Sequence, residues 1–208
     1  KSRIAFFRDQ KSIDYAIELG WKGDTQNWAC DPAIAFVHRW RLENDEQIKE
    51  EGSLISLLRY QTAEYSGDSQ NQGKKSLDQI VAFYESYLLN HNASINMLSM
   101  HMFWVGNDDR DYNQVVKKWM KGDTVRVENK VLLIYDLLKT ISKADIGMPM
   151  RFHGHIFMIT LGIPIIGIDY TGVGGKVNSI MTRYNLDNYS LQLNEDFSSE
   201  LLESKMIE

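Results

Sequence analysis

The segment MRFHGHIFMITLGIPIIGIDY, residues 150–170, decides the fold class of this chain. Arg151 and His153 stand near its start, ahead of about two turns of apolar helix. A Gly-Ile-Pro turn follows and leads into an apolar strand. The segment therefore predicts a cation and a proton-transfer group where a loop enters a helix N-terminus, which is a position that favours anions.

The composition of the 208-residue chain is that of an ordinary globular protein, with 43% hydrophobic and 25% charged residues. Its formal net charge is −5, so any cationic site must be local, and we expect no nucleic-acid partner. Cys30 is the single cysteine, which excludes an intrachain disulfide and suits a reducing compartment, so we expect a cytoplasmic location. The longest apolar run, residues 156–168, is shorter than the roughly 20 residues of a membrane-spanning helix, so we expect no transmembrane segment.

Strand-like and helix-like segments alternate along almost the whole chain. Apolar runs predict strands at residues 4–7, 54–58, 95–100, 125–127, 146–148 and 165–168. Other patterns predict helices at residues 12–19, 76–90, 109–120 and 131–142, and a last helix that follows the glycine-rich turn and ends at about residue 184. They also predict a turn or short helix at 31–37 and a loop at 66–75. The alternation predicts an α/β fold, a Rossmann-like parallel sheet with helices on both faces. We expect one such domain over residues 1–208.

Polar clusters follow several of the predicted strands. Residues 8–9 follow the first strand, residues 101–109 follow the third, and residues 169–176 follow the last. Ligands bind at the carboxyl ends of the strands in such sheets. We therefore group these clusters with Arg151 and His153 as one candidate site.

Each of these groups also has a purely structural interpretation. Arg151 then pairs with a structural carboxylate, His153 caps a helix, and Arg8 forms an ion pair at a strand end. The third polar cluster consists of His101, Asp108 and Asp109. It either contacts a ligand or lies in a solvated loop.

A metal site and a P-loop are weaker alternatives. His153, His155 and Asp169 are possible metal ligands, but no further ligand has suitable spacing, so we expect no metal and place His155 in the interior or on the helix flank. The glycine-rich turn before Lys176 is not a P-loop, because Val177 follows the lysine. That turn is either a phosphate-binding turn or a flexible connection.

Several short motifs, in order along the chain, resemble those of the polysaccharide pyruvyl transferase family. They are Arg-Asp-x-x-Ser at residues 8–12, Asp-Pro-Ala at 31–33, Arg-Phe-His at 151–153, Gly-Ile-Pro at 162–164, and Asp-Tyr at 169–170 with Lys176 nearby. Phe152 stands where the family usually has leucine, and the spacer between Tyr170 and Lys176 is longer and richer in glycine. The resemblance implies the C-terminal lobe of a two-lobed GT-B architecture, a donor-binding lobe, with the N-terminal lobe absent from this chain.

The resemblance implies transfer of a pyruvyl group from phosphoenolpyruvate to two hydroxyls of a sugar, as a ketal. The acceptor is then a saccharide or a glycolipid-linked sugar, and no cofactor is expected. Carried over by motif, Arg8 and Arg151 bind the donor, whose phosphate and carboxylate both suit guanidinium forks. Phe152 and Lys176 also contact substrate, and His153 is the general acid.

Two other functions stay open at this stage. One is a GT-B glycosyltransferase that uses a nucleotide sugar, and the other is a non-catalytic carbohydrate-associated domain that kept the fold. Protection against thermal unfolding by a nucleotide would favour the first. Sugar binding without donor binding would favour the second. We expect this chain by itself to turn over poorly.

Overall fold

The structure is a computed structural model that describes residues 5–23, 29–44, 49–59, 69–103, 108–121, 124–172, 174–194 and 196–207. The chain divides into two compact units, Lys1–Asp45 and Glu46–Glu208. The expectation of one donor-binding domain over the whole chain stays a prediction.

The first unit contains two capped helices, α1 (Gln10–Glu18) and α2 (Pro32–Glu43). Asp9 caps α1 by accepting a hydrogen bond from the Ser12 N–H at 2.8 Å. Asp31 caps α2 in the same way, and Pro32 at the first helical position has the φ angle that a helix start requires. The helix predicted at residues 12–19 is confirmed, whereas the short helix predicted to end at 37 continues through Glu43.

A short bridge replaces the strand predicted at residues 4–7. Phe7 accepts a hydrogen bond from the Ala29 N–H at 3.1 Å, and the first residue of the prediction, Ile4, lies outside the described residues. The Phe7 ring also meets Trp21 edge to face, with 6.1 Å between ring centroids. This pairing and packing hold the segment before α1.

The described part of the second unit contains six parallel strands: β1 (Ser53–Leu57), β2 (Ser94–Met97), β3 (Val125–Val127), β4 (Ile146–Pro149), β5 (Gly167–Asp169) and β6 (Ser190–Gln192). Four of them pair in the order β3-β2-β1-β4, and the other two pair as β5-β6. A parallel bridge between Gly147 and Ile165 connects the two groups. The combined order is that of a doubly wound sheet, and it reverses direction between β1 and β4.

Helices cover both faces of this sheet, so the predicted fold class is confirmed. They are α3 (Ser69–Asn90), α4 (Asp109–Trp119), α5 (Ile134–Ile141), α6 (Phe152–Leu161), α7 (Lys176–Arg183) and α8 (Ser199–Ile207). α3 packs against α4 and α8, and α6 packs against α5 and α7. Strand residues such as Leu54 and Ile95 and the helix residue Tyr84 are buried between these layers. Apolar burial on this scale is the main contribution to folding.

Two elements of the second unit also differ from the sequence prediction for identifiable reasons. The loop predicted at 66–75 is helical from Ser69 onward, because α3 continues into buried positions such as Ile80, and packing outweighs the weak propensity of its polar first turns. The strand predicted at 95–100 ends at Met97. Three residues later the backbone N–H groups of residues 100 and 101 turn towards the Asp109 carboxylate and leave the ladder.

Within the described ranges, no helix has the length and apolar character needed to cross a membrane.

Candidate active site at the carboxyl edge of the sheet

The reversal of strand order between β1 and β4 gives the candidate site its position. The Leu57 carbonyl at the end of β1 accepts hydrogen bonds from the N–H groups of Met150 (3.0 Å) and Arg151 (3.3 Å). The Arg59 N–H in turn contacts the Met150 sulfur at 3.4 Å. Arg59 and Arg151 therefore leave neighbouring strand ends at the crevice where such sheets bind ligands.

Helix α6 begins at this crevice. Arg151 is its N-cap and makes no side-chain capping bond, so the first-turn N–H groups are not capped by that side chain. A Cβ atom at Gly154 would lie 2.8 Å from the Leu57 Cδ1 and 3.3 Å from the Pro149 Cβ. Glycine thus lets the first turn of α6 approach the strand ends closely. The left-handed Gly162, with φ of 72°, ends the helix as the Gly-Ile-Pro pattern predicted.

The Arg151 side chain forms a two-pronged ion pair with Asp109. Its Nε donates to the Asp109 Oδ2 at 3.0 Å, and its Nη2 donates to the Oδ1. The Asp109 side chain is fully buried, and its Oδ2 also accepts the N–H groups of Met100 (3.3 Å) and His101 (3.0 Å). Arg151 therefore pairs with a structural carboxylate, as the purely structural interpretation of the sequence expects. The same contact holds its guanidinium at the N-terminus of α6, where a donor role stays a prediction.

His153 and His155 have opposite environments. His153 is exposed, and its ring centroid lies 5.5 Å from that of Phe152. His155 is fully buried, with Nδ1 3.0 Å from the Arg151 carbonyl oxygen, and desolvation lowers the pKa of His155 to about 4. His153 and His155 are two residues apart in one helix, so their side chains are separated by about 200° around its axis and do not face one metal ion together. Of the two positions predicted for His155, the interior and the helix flank, the structure shows the interior.

Asp169, the third possible metal ligand, makes hydrogen bonds with a neighbouring residue in its own turn. Its Oδ1 accepts hydrogen bonds from the Thr171 N–H at 2.7 Å and the Thr171 hydroxyl at 2.6 Å. Among the residues that the structure describes, no group of three histidine, cysteine, aspartate or glutamate side chains is placed to hold a metal ion. The bonds of Asp169 shape the turn that leads to Lys176.

Phe152 and Lys176 lie together, with Tyr170 beside them. The Lys176 Nζ is 5.8 Å from the ring centroid of Phe152 and 5.8 Å from that of Tyr170. Both distances lie within the range of cation–π attraction. The structure thus brings two of the predicted substrate-binding residues to one place.

Arg8 belongs to the first unit and makes ion pairs there. Its Nη1 lies 3.2 Å from the Asp31 Oδ2, and its Nε lies 3.5 Å from the Asp9 Oδ2. These are the ion pairs of the structural interpretation, although a short bridge stands where the strand was predicted. A role for Arg8 in donor binding stays a prediction.

His101, Asp108 and Asp109, the third polar cluster, make mainly structural contacts. Asp108 caps α4 by accepting the Arg110 N–H at 2.9 Å, and it also accepts bonds from the Arg110 guanidinium. Hydrogen bonds from that side chain hold the pKa of Asp108 below its usual range. Asp109 holds Arg151 through their ion pair. The ring centroids of His101 and Phe103 are 5.5 Å apart.

The family model of polysaccharide pyruvyl transferases matches residues 1–172 of the chain. The chain belongs to this family. Its match includes Arg8, Arg151, Phe152 and His153, whereas Lys176 lies beyond the matched region. No curated protein sequence matches the chain significantly.

Solved structures similar to this pyruvyl transferase family chain show its fold. The UDP-GlcNAc 2-epimerase of Methanocaldococcus jannaschii, in complex with UDP-GlcNAc and UDP, aligns with a TM-score of 0.60 at 10% identity. That alignment covers 99% of this chain and 54% of the epimerase. A second structure of the same enzyme aligns with a TM-score of 0.60 at 11% identity, over 100% of this chain and 55% of the other. The chain therefore spans about half the length of these structures, and at such identity they share the fold alone.

Sequence reasoning missed one arginine at the site of this pyruvyl transferase family chain. Arg59 follows β1 and is only 7% exposed, and its guanidinium carbon lies 4.2 Å from the ring centroid of Tyr170. A signal for it was present, because Arg59 directly follows the apolar run predicted as a strand at 54–58. The rule that groups polar residues at strand ends would have included it.

Proposed function

We propose that this member of the pyruvyl transferase family binds phosphoenolpyruvate at the carboxyl edge of its second unit and transfers the pyruvyl group to a saccharide. The observation that carries the proposal is the exposed His153 at the start of α6, next to an arginine fixed by a buried carboxylate. The candidate proton donor and the candidate anion binder thus stand two residues apart at the helix start, at the edge where α/β sheets bind ligands. Family membership supports the same activity.

The donor phosphate binds at the N-terminus of α6 in this proposal. First-turn N–H groups and the helix dipole both favour an anion there. Asp109 engages the Nε and Nη2 of Arg151, so the opposite edge of the guanidinium, at Nη1, is the one that would contact the phosphate. The Arg151 side chain is 17% exposed, which permits contact with a ligand.

His153 supplies the proton in the chemical step. A hydroxyl of the acceptor adds to the carbon that carries the phosphate, and the methylene carbon takes the proton from His153 to become a methyl group. Phosphate then leaves with its bridging oxygen and takes up the proton of the first hydroxyl. The second hydroxyl closes the ketal, and its proton restores the protonated His153.

The acceptor and the location follow from the same proposal. We infer a saccharide or a glycolipid-linked sugar as acceptor, because the family model describes a polysaccharide-modifying transferase. A cytoplasmic location is consistent with the single cysteine, Cys30.

Donor choice is the experiment that tests this function. Thermal unfolding is measured with phosphoenolpyruvate, with UDP-GlcNAc, and with each half of the donor as inorganic phosphate and pyruvate. We expect phosphoenolpyruvate to raise the melting temperature most, because a ligand that binds only the folded state stabilises it by mass action. Protection by the nucleotide sugar alone would support a glycosyltransferase instead. Protection by neither, with sugar binding retained, would support a non-catalytic carbohydrate-associated domain.

A further inference from the structure

We infer that a basic cavity near the amino ends of β1 and β4 binds a carboxylate-bearing sugar, apart from the candidate site at the carboxyl edge of the sheet. The cavity has a volume of about 300 Å³, and its lining includes Arg126, Lys139 and Lys143. The cationic lining is a feature of the structure, whereas the choice of a sugar as ligand rests on the proposed function.

The sheet brings Arg126 to this cavity from the middle of β3. Arg126 is in register with Asn96 on β2, and Asn96 is in register with Ile55 on β1. Side chains at paired positions point to the same face of a sheet, and so does that of Ser53, two residues before Ile55. The cavity floor therefore presents a guanidinium, an amide and a hydroxyl on one surface.

The end of α5 adds two more cations. Lys139 and Lys143 are four residues apart, a spacing that puts both on the same side. Lys143 pairs with Glu50, with 3.3 Å between Nζ and Oε1. In the part of the chain that the structure describes, Arg126 and Lys139 make neither a hydrogen bond nor an ion pair. The one carboxylate in the described lining is thus already engaged, and two cations keep their hydrogen-bond donors.

A structural role accounts for only part of this cluster. A lysine in the last turn of a helix stabilises the helix dipole, which explains Lys139 alone but not Arg126 on the facing strand. The chain has a net charge of −5, so the cluster is a local feature and not part of a generally basic surface. A concave surface lined by one sign of charge concentrates ions of the opposite sign. The cavity therefore favours an anion.

The size and the neutral groups of the cavity favour a sugar over a bare ion. A volume of about 300 Å³ lies at the lower end of the range for small-molecule sites, and an inorganic anion would fill only part of it. The Arg126 fork matches a carboxylate. The Asn96 amide and the hydroxyls of Ser53 and Thr140 suit sugar hydroxyls, because each can donate and accept.

The proposed function supplies an acidic sugar of this kind. The ketal keeps the carboxylate of the pyruvyl group, so a saccharide that has received the group carries a negative charge. A site at the amino ends of the strands would bind such a unit without occupying the donor position at α6. The cavity thus fits an acidic unit of the acceptor or product chain.

Nuclear magnetic resonance titration of the full chain tests the inference with sodium glucuronate, glucose and inorganic phosphate as probes. We expect glucuronate to shift the backbone amide signals of Asn96, Arg126 and Thr140 in a saturable way. Glucose and phosphate should bind there at least about fivefold more weakly, because each lacks one of the two kinds of contact.

Charge-removing variants identify the groups that bind. Arg126→Gln should weaken glucuronate binding about tenfold, and Lys139→Gln about threefold. Lys118→Gln is the matched control, because Lys118 is exposed in the last turn of α4 as Lys139 is in that of α5. The control should leave glucuronate affinity within about 1.5-fold. Circular dichroism checks folding, and Lys139→Gln decides the matter if Arg126→Gln does not fold.

Several results would overturn the inference. They are an absence of saturable glucuronate shifts, equal affinity for glucose, unchanged affinity in Arg126→Gln and Lys139→Gln, or an equal loss in Lys118→Gln. Phosphate binding as tight as that of glucuronate at the same signals would show a site for simple anions instead. The proposed function fails separately: glucuronate binding without phosphoenolpyruvate binding would keep the cavity site and overturn that function, and the reverse result would remove only the cavity site.

Discussion

At the residue scale, Asp109 sets the direction of Arg151. The carboxylate is fully buried, engages two guanidinium nitrogens and also accepts two backbone N–H groups from the turn after β2. An ion pair of this kind is costly to break on one side, because the remaining charge keeps its desolvation cost. Asp109 is therefore a positioning residue for the candidate site, and Arg151 is the group that would contact the donor.

Asp109→Asn tests this positioning role. The neutral amide cannot accept both guanidinium bonds, so we expect a loss of about 1–3 kcal/mol in the free energy of unfolding, measured by urea denaturation. We also expect weaker phosphoenolpyruvate binding in the folded variant. Asp111→Asn removes the same charge from an exposed position in the first turn of α4 and should cost less than about 1 kcal/mol. Equal stability and donor affinity in Asp109→Asn and Asp111→Asn would contradict the assignment.

His155 makes a pH-dependent contribution at the same scale. Its pKa is about 4 in the folded state, below the ordinary value of 6.5, because burial disfavours the imidazolium. Between these two values the unfolded chain binds more protons, so stability is present above pH 6.5 and is lost as the pH falls towards 4. The full loss is on the order of 3 kcal/mol.

The His155→Asn variant isolates this loss. Asparagine keeps a donor for the Arg151 carbonyl but does not titrate, so its unfolding free energy should fall less steeply between pH 6.5 and pH 4. Carboxylates contribute to both proteins, so the difference between the two slopes reports His155. Parallel curves across this range would show that His155 is not buried in its neutral form.

At the element scale, the candidate site depends on how closely α6 approaches the ends of β1 and β4. Gly154 permits that approach, since a Cβ there would meet Leu57 and Pro149. The helix has no polar stripe of its own: seven of its ten residues are buried, including Phe157 and Met158. Its placement therefore comes from packing, and the position of its open N-terminus follows from that packing.

Gly154→Ala tests the seating of α6. We expect destabilisation of about 1–3 kcal/mol from overpacking, with weaker phosphoenolpyruvate binding because the helix start moves. Leu57→Val removes the atom nearest to the new methyl group, so the double variant should lose less stability than the two single losses added together. Strict additivity in thermal or urea unfolding would show that the methyl group does not press on Leu57.

At the scale of the whole molecule, the sequence predicted the α/β class because each buried strand is a short apolar run between helical patterns. It did not reveal strand order, which depends on contacts between distant segments, so Arg59 and Arg151 could not be recognised as neighbours. The elements after Tyr184 were also missed, since β6 has only three residues and one buried side chain, Leu191. The candidate site was found in part: its motifs located α6, but the partner of Arg151 is visible only in the structure.

In the proposed mechanism His153 delivers the proton in pyruvyl transfer, and the His153→Ala variant tests that role. Turnover is measured as phosphate release and ketal formation from phosphoenolpyruvate and a saccharide acceptor, in an active protein that contains this chain. We predict a fall in turnover of about 10²–10⁴-fold with donor affinity changed much less, because Arg151 and the N-terminus of α6 bind the anion. His153→Gln should be similarly slow, since the amide cannot supply the proton. A folded His153→Ala variant with near-normal turnover would contradict the account.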